Sequence, residues 1–209
     1  ADSENVDVVN GANLYTTIDA GIQRVAHERL DTMLRRQKAS YGVAMVMEVA
    51  TGNMLCMVSL SSGVERGTTY TERVNNHALN TAISPGSTMK LASAMPLLEI
   101  GGYDLYTKVN TEHSRPNHGV KVGAAKIEDT HDAAGKDSDG NVTLKDAFAH
   151  SSNVYFAKAI YETFKSNPKE YTDFLAKLRF NDYIGLEKYG EVQGDLTMAD
   201  SPKWNTKGS

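Results

Sequence analysis

The spacing of apolar and polar positions predicts one long helix and a pair of strands in the first half of the chain. From Asp19, apolar residues recur at helical spacing through Leu34, which predicts a helix capped by Asp19. Two nearly continuous apolar runs follow at 43–49 and 54–60, and the Gly-containing loop between them is typical of a β-hairpin. Because these runs do not alternate, we expect helices to cover both faces of the hairpin.

The second half of the chain has shorter elements joined by polar loops. Helical spacing after position 88 predicts a helix that ends before Gly101. Its predicted buried face consists of Met89, Ala92, Met95 and Leu98. The segments 120–122 and 125–127 have the composition of two short strands.

The turn at residues 84–87, directly before the predicted helix, carries candidate chemistry. Ser87 is placed at the helix N-terminus, and Lys90 follows three residues later on the same face, with Cβ atoms about 5–6 Å apart. Capping alone explains a serine here, but a capping box takes Glu or Gln at the position of Lys90. Burial and the positive helix end both favour loss of the lysine proton. Lys90 would then be a general base beside a nucleophilic Ser87.

The spacing Ser-x-x-Lys occurs again at Ser166 and Lys169, where a structural explanation suffices. Asn167 suits the cap of a helix, and Pro168 suits its first turn. The apolar residues that follow form an amphipathic face. We therefore interpret this second copy as structural.

Another candidate segment, Ser151-Ser152-Asn153, lies where two predicted helices meet. A capping box of Thr143 and Asp146 opens the first helix, and the second runs to Phe164. Serine and asparagine are common caps at helix junctions, so the segment taken alone has a structural explanation. The pattern Ser-x-Asn also occurs by chance at residues 3–5.

The bulk composition excludes several classes of protein. The 209 residues are 40% hydrophobic and 23% charged with a net charge of −4, which is typical of a globular domain and does not indicate nucleic-acid binding. Cys56 is the single cysteine, so an internal disulfide framework is excluded, and its apolar surroundings predict a buried thiol. We predict no metal site and no cofactor, because no compact ligand spacing occurs. The loop residues that come nearest to such a spacing are His113, His118, Asp129, His131 and Asp132.

Each candidate segment alone occurs too often by chance to indicate a family, but the two segments together do indicate one. The pair Ser87-x-x-Lys90 and Ser151-x-Asn153, in that order, resembles the penicillin-binding protein transpeptidases, which belong to the serine acyl-transferases together with the serine β-lactamases. The resemblance covers nearly the whole chain and is greatest to class B proteins of the septal, cell-division type. Other features also follow the family's order. They are Thr16-Thr17-Ile18-Asp19, the hairpin 46–58, the loop and motif 75–90 that contain Pro-Gly-Ser, Thr143-Leu144 and the Gly-Glu segment 190–196.

The resemblance implies a fold and a set of residue roles. The implied fold is α/β of the α+β type, with helices packed around an antiparallel sheet. Ser87 would attack the carbonyl between the two terminal D-alanines of a peptidoglycan stem peptide, and Lys90 would take its proton. Ser151 would relay a proton to the leaving amine, and Asn153 would bind the substrate amide and orient Lys90. The backbone N–H of Ser87 would be one of two oxyanion donors, and β-lactams would acylate Ser87.

The third motif of this family, Lys-Thr/Ser-Gly on an edge strand, is not found. Residues 206–209 contain similar letters in a different order. Residues 1–13 are polar, and we expect them to be a flexible lead-in. We expect residues 14–209 to be a partial transpeptidase domain that lacks the third-motif strand and the C-terminal helix, with an incomplete sheet whose exposed edge favours pairing between copies. In this family the third-motif strand supplies the second oxyanion donor, and losing one such donor costs on the order of 10²–10³ in rate. We therefore expect this chain to be weakly active or inactive.

The resemblance also implies partners and a location. The partners are peptidoglycan stem peptides, β-lactam antibiotics and cell-division membrane proteins, and nucleic acid is not among them. The location is the outer, periplasmic face of the bacterial cytoplasmic membrane. No apolar run approaches about 18 residues, so we do not expect this chain to span a membrane. The resemblance implies a membrane anchor in the full protein.

Two alternatives share parts of the pattern. A serine β-lactamase or β-lactam sensor would also use Ser87 and Lys90, but a class A β-lactamase needs Asp where this chain has Ser152, and an acidic residue for deacylation. The other alternative is a catalytically silent, penicillin-recognising binding module of the division machinery. An ion pair that holds Lys90 away from Ser87 would favour that alternative.

Overall fold

The computed structural model describes residues 11–62, 70–71, 76–131, 136–185 and 190–200. The chain divides into two units, Ala1–Thr81 with Leu186–Glu191 and Ala82–Gly185 with Val192–Ser209. All four predicted site residues, from Ser87 to Asn153, belong to the second unit. The third-motif letters at 206–209 and the chance pattern at 3–5 lie outside the described residues.

The first unit places a helix on an antiparallel sheet. Its elements are α1 (Ala20–Gln37), β1 (Tyr41–Met47), β2 (Met54–Ser62), β3 (Tyr70–Thr71) and α2 (His77–Asn80), with strand order β1-β2-β3. The predicted cap of α1 is confirmed, because the Asp19 carboxylate accepts the Ile22 N–H at 2.8 Å. The predicted hairpin is confirmed as well, since β1 and β2 pair in antiparallel register.

The hairpin is covered less completely than its apolar runs predict. The β2 residues fully buried against α1 are Cys56, Val58 and Leu60, which confirms the predicted buried thiol. On β1 the prediction of two covered faces is wrong, because Met45 and Met47 are 53% and 57% exposed. β1 lies at an edge of the described sheet, and a continuous apolar run does not distinguish an edge strand from a central one.

The opposite side of β2 is held by the short helix α2. Asn76 caps this helix, and the backbone N–H of His77 donates to the Ser59 hydroxyl at 2.9 Å. The His77 ring bonds the Ser61 hydroxyl at 2.8 Å and the Thr81 hydroxyl at 2.7 Å. The bonds to Ser59 and Ser61 attach α2 to β2 through hydroxyl groups of the strand.

The second unit surrounds a central helix, α5. Its elements are a 3-10 turn (Gly86–Thr88), α3 (Met89–Glu99), β4 (Lys108–Asn110), β5 (Val120–Val122), β6 (Ala125–Ile127), β7 (Asn141–Thr143), α4 (Leu144–Ala149), α5 (Asn153–Phe164) and α6 (Pro168–Lys177). β4 pairs with β7 and β5 with β6, both antiparallel, which confirms the two predicted short strands. The predicted α+β class is thereby confirmed. The core includes Leu97, Val142, Ala147, Tyr155 and Phe156.

The buried face of α3 differs from the predicted one. Met95 and Leu98 are 36% and 42% exposed, whereas Leu97 is fully buried. The buried Ser93 hydroxyl lies 3.1 Å from the Tyr171 hydroxyl of α6 and attaches the two helices. Because α3 carries apolar or small residues on most sides, their spacing alone does not decide which face turns inward.

The capping residues predicted from the sequence are confirmed for α4, and one of the two predicted for α6 is not. Thr143 caps α4, where its hydroxyl oxygen accepts the Asp146 N–H at 3.1 Å and its O–H lies 2.6 Å from the Asp146 carboxylate. Pro168 stands in the first turn of α6 as predicted. Asn167 precedes it, but its side chain makes no capping hydrogen bond, so that part of the prediction is wrong.

Candidate active site

The turn that opens α3 presents Ser87 at the surface. Gly86 has φ 58°, in the left-handed region that glycine adopts without steric cost. This turn leads into the 3-10 segment, and the Thr88 hydroxyl closes it by donating to the Pro85 carbonyl at 2.6 Å. Ser87 makes no side-chain capping bond, and its side chain is exposed. The capping explanation of Ser87 is therefore wrong.

Lys90 stands at the centre of a cluster drawn from two helix starts. Its Nζ lies 3.1 Å from the Ser87 Oγ and 2.8 Å from the Ser151 Oγ. It also lies 2.7 Å from the Ser151 carbonyl oxygen and 2.6 Å from the Asn153 Oδ1. The structure thus brings together all four residues that the sequence predicted for the site.

The hydrogen-bonding groups around Lys90 accommodate a neutral amine. The Ser151 carbonyl and the Asn153 Oδ1 accept hydrogen bonds and do not donate them. They take two N–H groups of Lys90, which a neutral amine supplies in full. Its lone pair is then available to a hydroxyl of Ser87 or Ser151, both of which lie within hydrogen-bonding distance. An ammonium could likewise donate to both of these acceptors and to one hydroxyl, so the contacts fit either protonation state.

The orientation of the Asn153 amide is fixed by a second bond. Its Nδ2 donates to the Glu128 carbonyl at 3.0 Å, which turns Oδ1 toward Lys90. A flipped amide would direct its oxygen at the Glu128 carbonyl, which can only accept, and its N–H groups at the Lys90 nitrogen. The backbone N–H of Asn153, at the start of α5, donates to the Asp129 carboxylate.

Ser151 occupies a strained position between α4 and α5. Its φ is 57°, in the left-handed region where a residue other than glycine costs about 1–2 kcal/mol. This backbone directs both its carbonyl and its hydroxyl at Lys90, and the hydroxyl oxygen lies 2.9 Å from the Ser87 Oγ. Backbone strain of this kind is found where surrounding structure holds a functional residue in place.

Burial affects the protonation of Lys90. The partly buried environment lowers the pKa of the lysine, and the Asp129 carboxylate opposes this shift without reversing it. The start of α3 acts in the same direction as burial, because the N-terminal end of a helix carries positive partial charge. The neutral base expected from the sequence is consistent with this direction.

Asp129 is a residue of this region that sequence reasoning did not assign. It is buried and bonds to the segment 152–154 at the start of α5. The sequence offered no signal for this contact, because Asp129 stands in a polar loop that is 24 residues from Asn153. In the sequence it is one of several loop residues that lack metal-ligand spacing.

Lys169 and His131, which were also named from the sequence, make structural contacts, and Asp132 lies outside the described residues. Lys169 pairs with Asp173 at 2.7 Å, which agrees with the structural interpretation of the second Ser-x-x-Lys copy. His131 bonds the His150 carbonyl at 2.8 Å. Across the part of the chain that the structure describes, no three His, Cys, Asp or Glu residues are placed to hold a metal ion. No helix in that part combines the length and apolarity that crossing a membrane requires.

Sequence comparison identifies related proteins. Over 188 residues the chain is 29% identical to the probable peptidoglycan D,D-transpeptidase PenA of Neisseria flavescens, which covers 89% of this chain and 42% of that protein. Over 160 residues it is 28% identical to the peptidoglycan D,D-transpeptidase FtsI of Escherichia coli K12, which covers 75% of this chain and 25% of that protein. The chain thus spans less than half the length of these curated relatives.

Solved structures share the fold. A peptidoglycan glycosyltransferase from Burkholderia ambifaria superposes with a TM-score of 0.69 at 22% identity, over 88% of this chain and 50% of that one. Penicillin binding protein 3 from Mycobacterium tuberculosis, in its apo form, superposes with a TM-score of 0.68 at 21% identity, over 93% of this chain and 42% of that one.

A family model supplies the assignment. The model described as the penicillin binding protein transpeptidase domain matches residues 42–208, which include Ser87, Lys90, Ser151 and Asn153. The fold of the solved structures and the names of the curated relatives agree with this match. The chain belongs to the penicillin binding protein transpeptidase domain family.

Proposed function

We propose that this chain carries the acyl-transfer centre of a peptidoglycan D,D-transpeptidase, with Ser87 as nucleophile and Lys90 as its base. The observation that supports this most is the position of Lys90 Nζ, within hydrogen-bonding distance of the hydroxyls of Ser87 and Ser151. A nucleophile, a base and a second hydroxyl in mutual contact form the arrangement that serine acyl transfer requires. The substrate class comes from the relatives, which are named peptidoglycan D,D-transpeptidases.

The first half-reaction forms an ester on Ser87. The Ser87 oxygen attacks the carbonyl between the terminal D-alanines while its proton passes to the neutral Lys90. A proton then moves from Lys90 through the Ser151 hydroxyl to the amide nitrogen of the departing D-alanine. The C–N bond breaks, free D-alanine leaves, and Lys90 is neutral again. The distances of 2.8 Å from Lys90 to Ser151 and 2.9 Å from Ser151 to Ser87 suit this relay.

The second half-reaction reverses the proton path. An amine of a neighbouring stem peptide attacks the ester carbonyl and gives up a proton to Lys90, through Ser151. The bond to the Ser87 oxygen breaks, and that oxygen regains a proton. The product is an amide crosslink. A β-lactam enters by the first step, but its amine stays tethered after ring opening and leaves a slow ester on Ser87.

The negative charge that develops on the substrate oxygen needs hydrogen-bond donors. We assign the Ser87 backbone N–H as one of them, since N–H groups at the start of a helix lack partners within that helix. The 209 residues contain no Lys-Thr/Ser-Gly sequence that would supply a second donor. Since one such donor is worth on the order of 10²–10³ in rate, we expect slow acylation of this chain by itself.

Specific contacts disfavour the two alternatives. A binding module with a silent lysine would hold Lys90 in an ion pair, but among the described residues Lys90 bonds to hydroxyl, carbonyl and amide oxygens only. A class A β-lactamase would place a carboxylate between Ser151 and Asn153, where this chain has Ser152. The carboxylate of Asp129 is buried against backbone N–H groups and is not placed to activate water at Ser87.

The wider context of the domain follows from the same proposal. Residues 14–209 would form part of a transpeptidase domain, preceded by the lead-in 1–13. The protein would act on peptidoglycan at the outer face of the bacterial cytoplasmic membrane. The relatives include proteins named FtsI, which supports a role in cell division together with division proteins of the membrane.

Intact-mass measurement after incubation with benzylpenicillin tests this proposal. We expect one slowly formed adduct per chain, located at Ser87 by peptide mapping, and faster formation in a version extended beyond Ser209 by its natural continuation. Ser87→Ala should abolish the adduct. Ser166→Ala, in the second Ser-x-x-Lys copy, is the matched control and should leave it intact. If neither folded chain gains an adduct at Ser87, the proposed function is wrong.

A further inference from the structure

A buried carboxylate lies beneath the segment 151–153 and has no part in the proton transfers described above. Asp129 is 2% exposed. It accepts the Asn153 N–H at 2.6 Å and the Val154 N–H at 3.1 Å. The Ser152 hydroxyl lies 3.1 Å from both of its oxygens. One side chain from a distant loop thus bonds three consecutive residues at the start of α5.

We propose that Asp129 is the positioning residue of this site, holding the α4–α5 junction so that Ser151 and Asn153 surround Lys90. This inference rests on the function proposed above, because it concerns the same lysine. Asp129 acts through its neighbours, since its bonds go to residues 152–154 and not to Lys90. Removing the carboxylate would release the segment that carries three of the four Lys90 acceptors.

The hydroxyl of Ser152 explains why a small polar residue stands between the two functional ones. It donates to Asp129, and its oxygen accepts the Tyr155 N–H at 3.1 Å as the cap of α5. Ser152 is 1% exposed, so it faces the interior while Ser151 and Asn153 face Lys90. The middle position therefore connects the junction to Asp129.

The residues around Asp129 fasten both sides of the same junction. The Glu128 carbonyl accepts the Asn153 Nδ2 at 3.0 Å. The His131 Nε2 lies 2.8 Å from the His150 carbonyl, which can only accept, so that nitrogen donates. The segment 128–131 thus bonds the end of α4 and the start of α5, with Asp129 at its centre.

The charge of Asp129 gives this anchor a second effect. Its carboxylate faces the positive end of α5, where an anion is favourable. The same charge raises the pKa of Lys90 and so offsets part of the lowering caused by burial. The other titratable groups of this neighbourhood are Glu128 and His131 beside Asp129 and His150 at the end of α4. A neutral residue at position 129 should therefore leave Lys90 deprotonated at lower pH.

The test compares Asp129→Asn and Asp129→Ala by two readouts. The first is benzylpenicillin acylation of Ser87 as a function of pH, measured by intact mass. The second is titration of the Lys90 side chain by carbon NMR, with its signal assigned by its loss in Lys90→Met. Asp129→Asn should shift both profiles to lower pH. Asp129→Ala should shift them likewise and also lower the maximal rate by about tenfold to a hundredfold, because the junction loses its anchor.

A matched control separates positioning from general stability. Asp137 is another carboxylate of this unit, which accepts the N–H groups of Asp139 and Asn141 at 3.1 and 2.9 Å in a turn. Asp137→Asn should leave both profiles unchanged. If Asp129→Ala keeps the maximal acylation rate of the unmodified chain, Asp129 is not the positioning residue. If Asp129→Asn gives the same pH profiles as the unmodified chain, the charge of Asp129 does not act on Lys90. If the unmodified chain is never acylated, the proposed function fails, while the NMR titration still decides whether Asp129 acts on Lys90.

Discussion

The Asn153 Oδ1 and the Lys90 Nζ are 2.6 Å apart, although 63 positions separate the two residues in the sequence. Because the Asn153 Nδ2 donates to the Glu128 carbonyl, the amide oxygen is the atom that meets the lysine. A neutral acceptor holds the nitrogen without adding charge. A carboxylate at this position would favour the ammonium much more strongly than the neutral amine.

Asn153→Asp therefore tests the need for a neutral partner. An opposite charge at this distance raises a lysine pKa, so we expect acylation by benzylpenicillin at neutral pH to fall about tenfold or more and to recover as the pH is raised. Asn153→Ala is the control, since it removes the acceptor without adding charge and should not recover at high pH. Identical pH profiles for the two variants would contradict the argument.

The pH dependence of the unmodified chain should report on Lys90 as well. Burial lowers the pKa of this lysine from its ordinary value, and only the neutral amine accepts the Ser87 proton. The acylation rate should rise with pH and level off at a lower pH than an ordinary lysine would give. Rates of adduct formation by intact mass across this range provide the measurement. A rate that still rises where free lysine titrates would show that burial does not activate Lys90.

The parts of the fold that were predictable are those governed by local contacts. The Asp19 cap, the β1–β2 hairpin and the strands β5 and β6 depend on residues close together in sequence, and all were confirmed. The inward face of α3 and the exposure of β1 were predicted incorrectly, because partners distant in sequence decide them. When a helix or strand is apolar on all sides, its sequence pattern does not predict which side packs against the rest of the protein.

In the candidate site, too, local sequence signals indicate only the residues that lie close together in the chain. Ser87 and Lys90 lie on one helix turn, and the misfit between a capping box and a lysine drew attention to them. Ser151 and Asn153 are 61 and 63 positions from Lys90, and in the sequence only the family resemblance connects them to it. Asp129 remained unassigned because a single acidic residue in a polar loop gives no local signal.

The corrected face of α3 leads to a stability prediction. Leu97 is fully buried in the core of the second unit, whereas Leu98 is 42% exposed. Leu97→Ala should lower the free energy of unfolding by about 2–5 kcal/mol, the range for a leucine truncated in a packed core. Leu98→Ala, the same substitution one residue along, should cost less than about 1 kcal/mol. Urea denaturation distinguishes the two, and a larger loss for Leu98→Ala would restore the face predicted from spacing.

The strained backbone at Ser151 allows stability and reactivity to be separated with two variants. Both Ser151→Ala and Ser151→Gly remove the hydroxyl between Lys90 and Ser87, so both should reduce acylation by benzylpenicillin on the order of 10²-fold, the contribution of a positioned proton-transfer group. They differ in backbone cost, because alanine keeps the left-handed strain at φ 57° and glycine relieves it. Ser151→Gly should therefore be about 1 kcal/mol more stable than Ser151→Ala in urea denaturation. Alanine at least as stable as glycine would mean that position 151 is not held in the left-handed region. Acylation unchanged in both variants would remove Ser151 from the proton relay while leaving Ser87 and Lys90 in place.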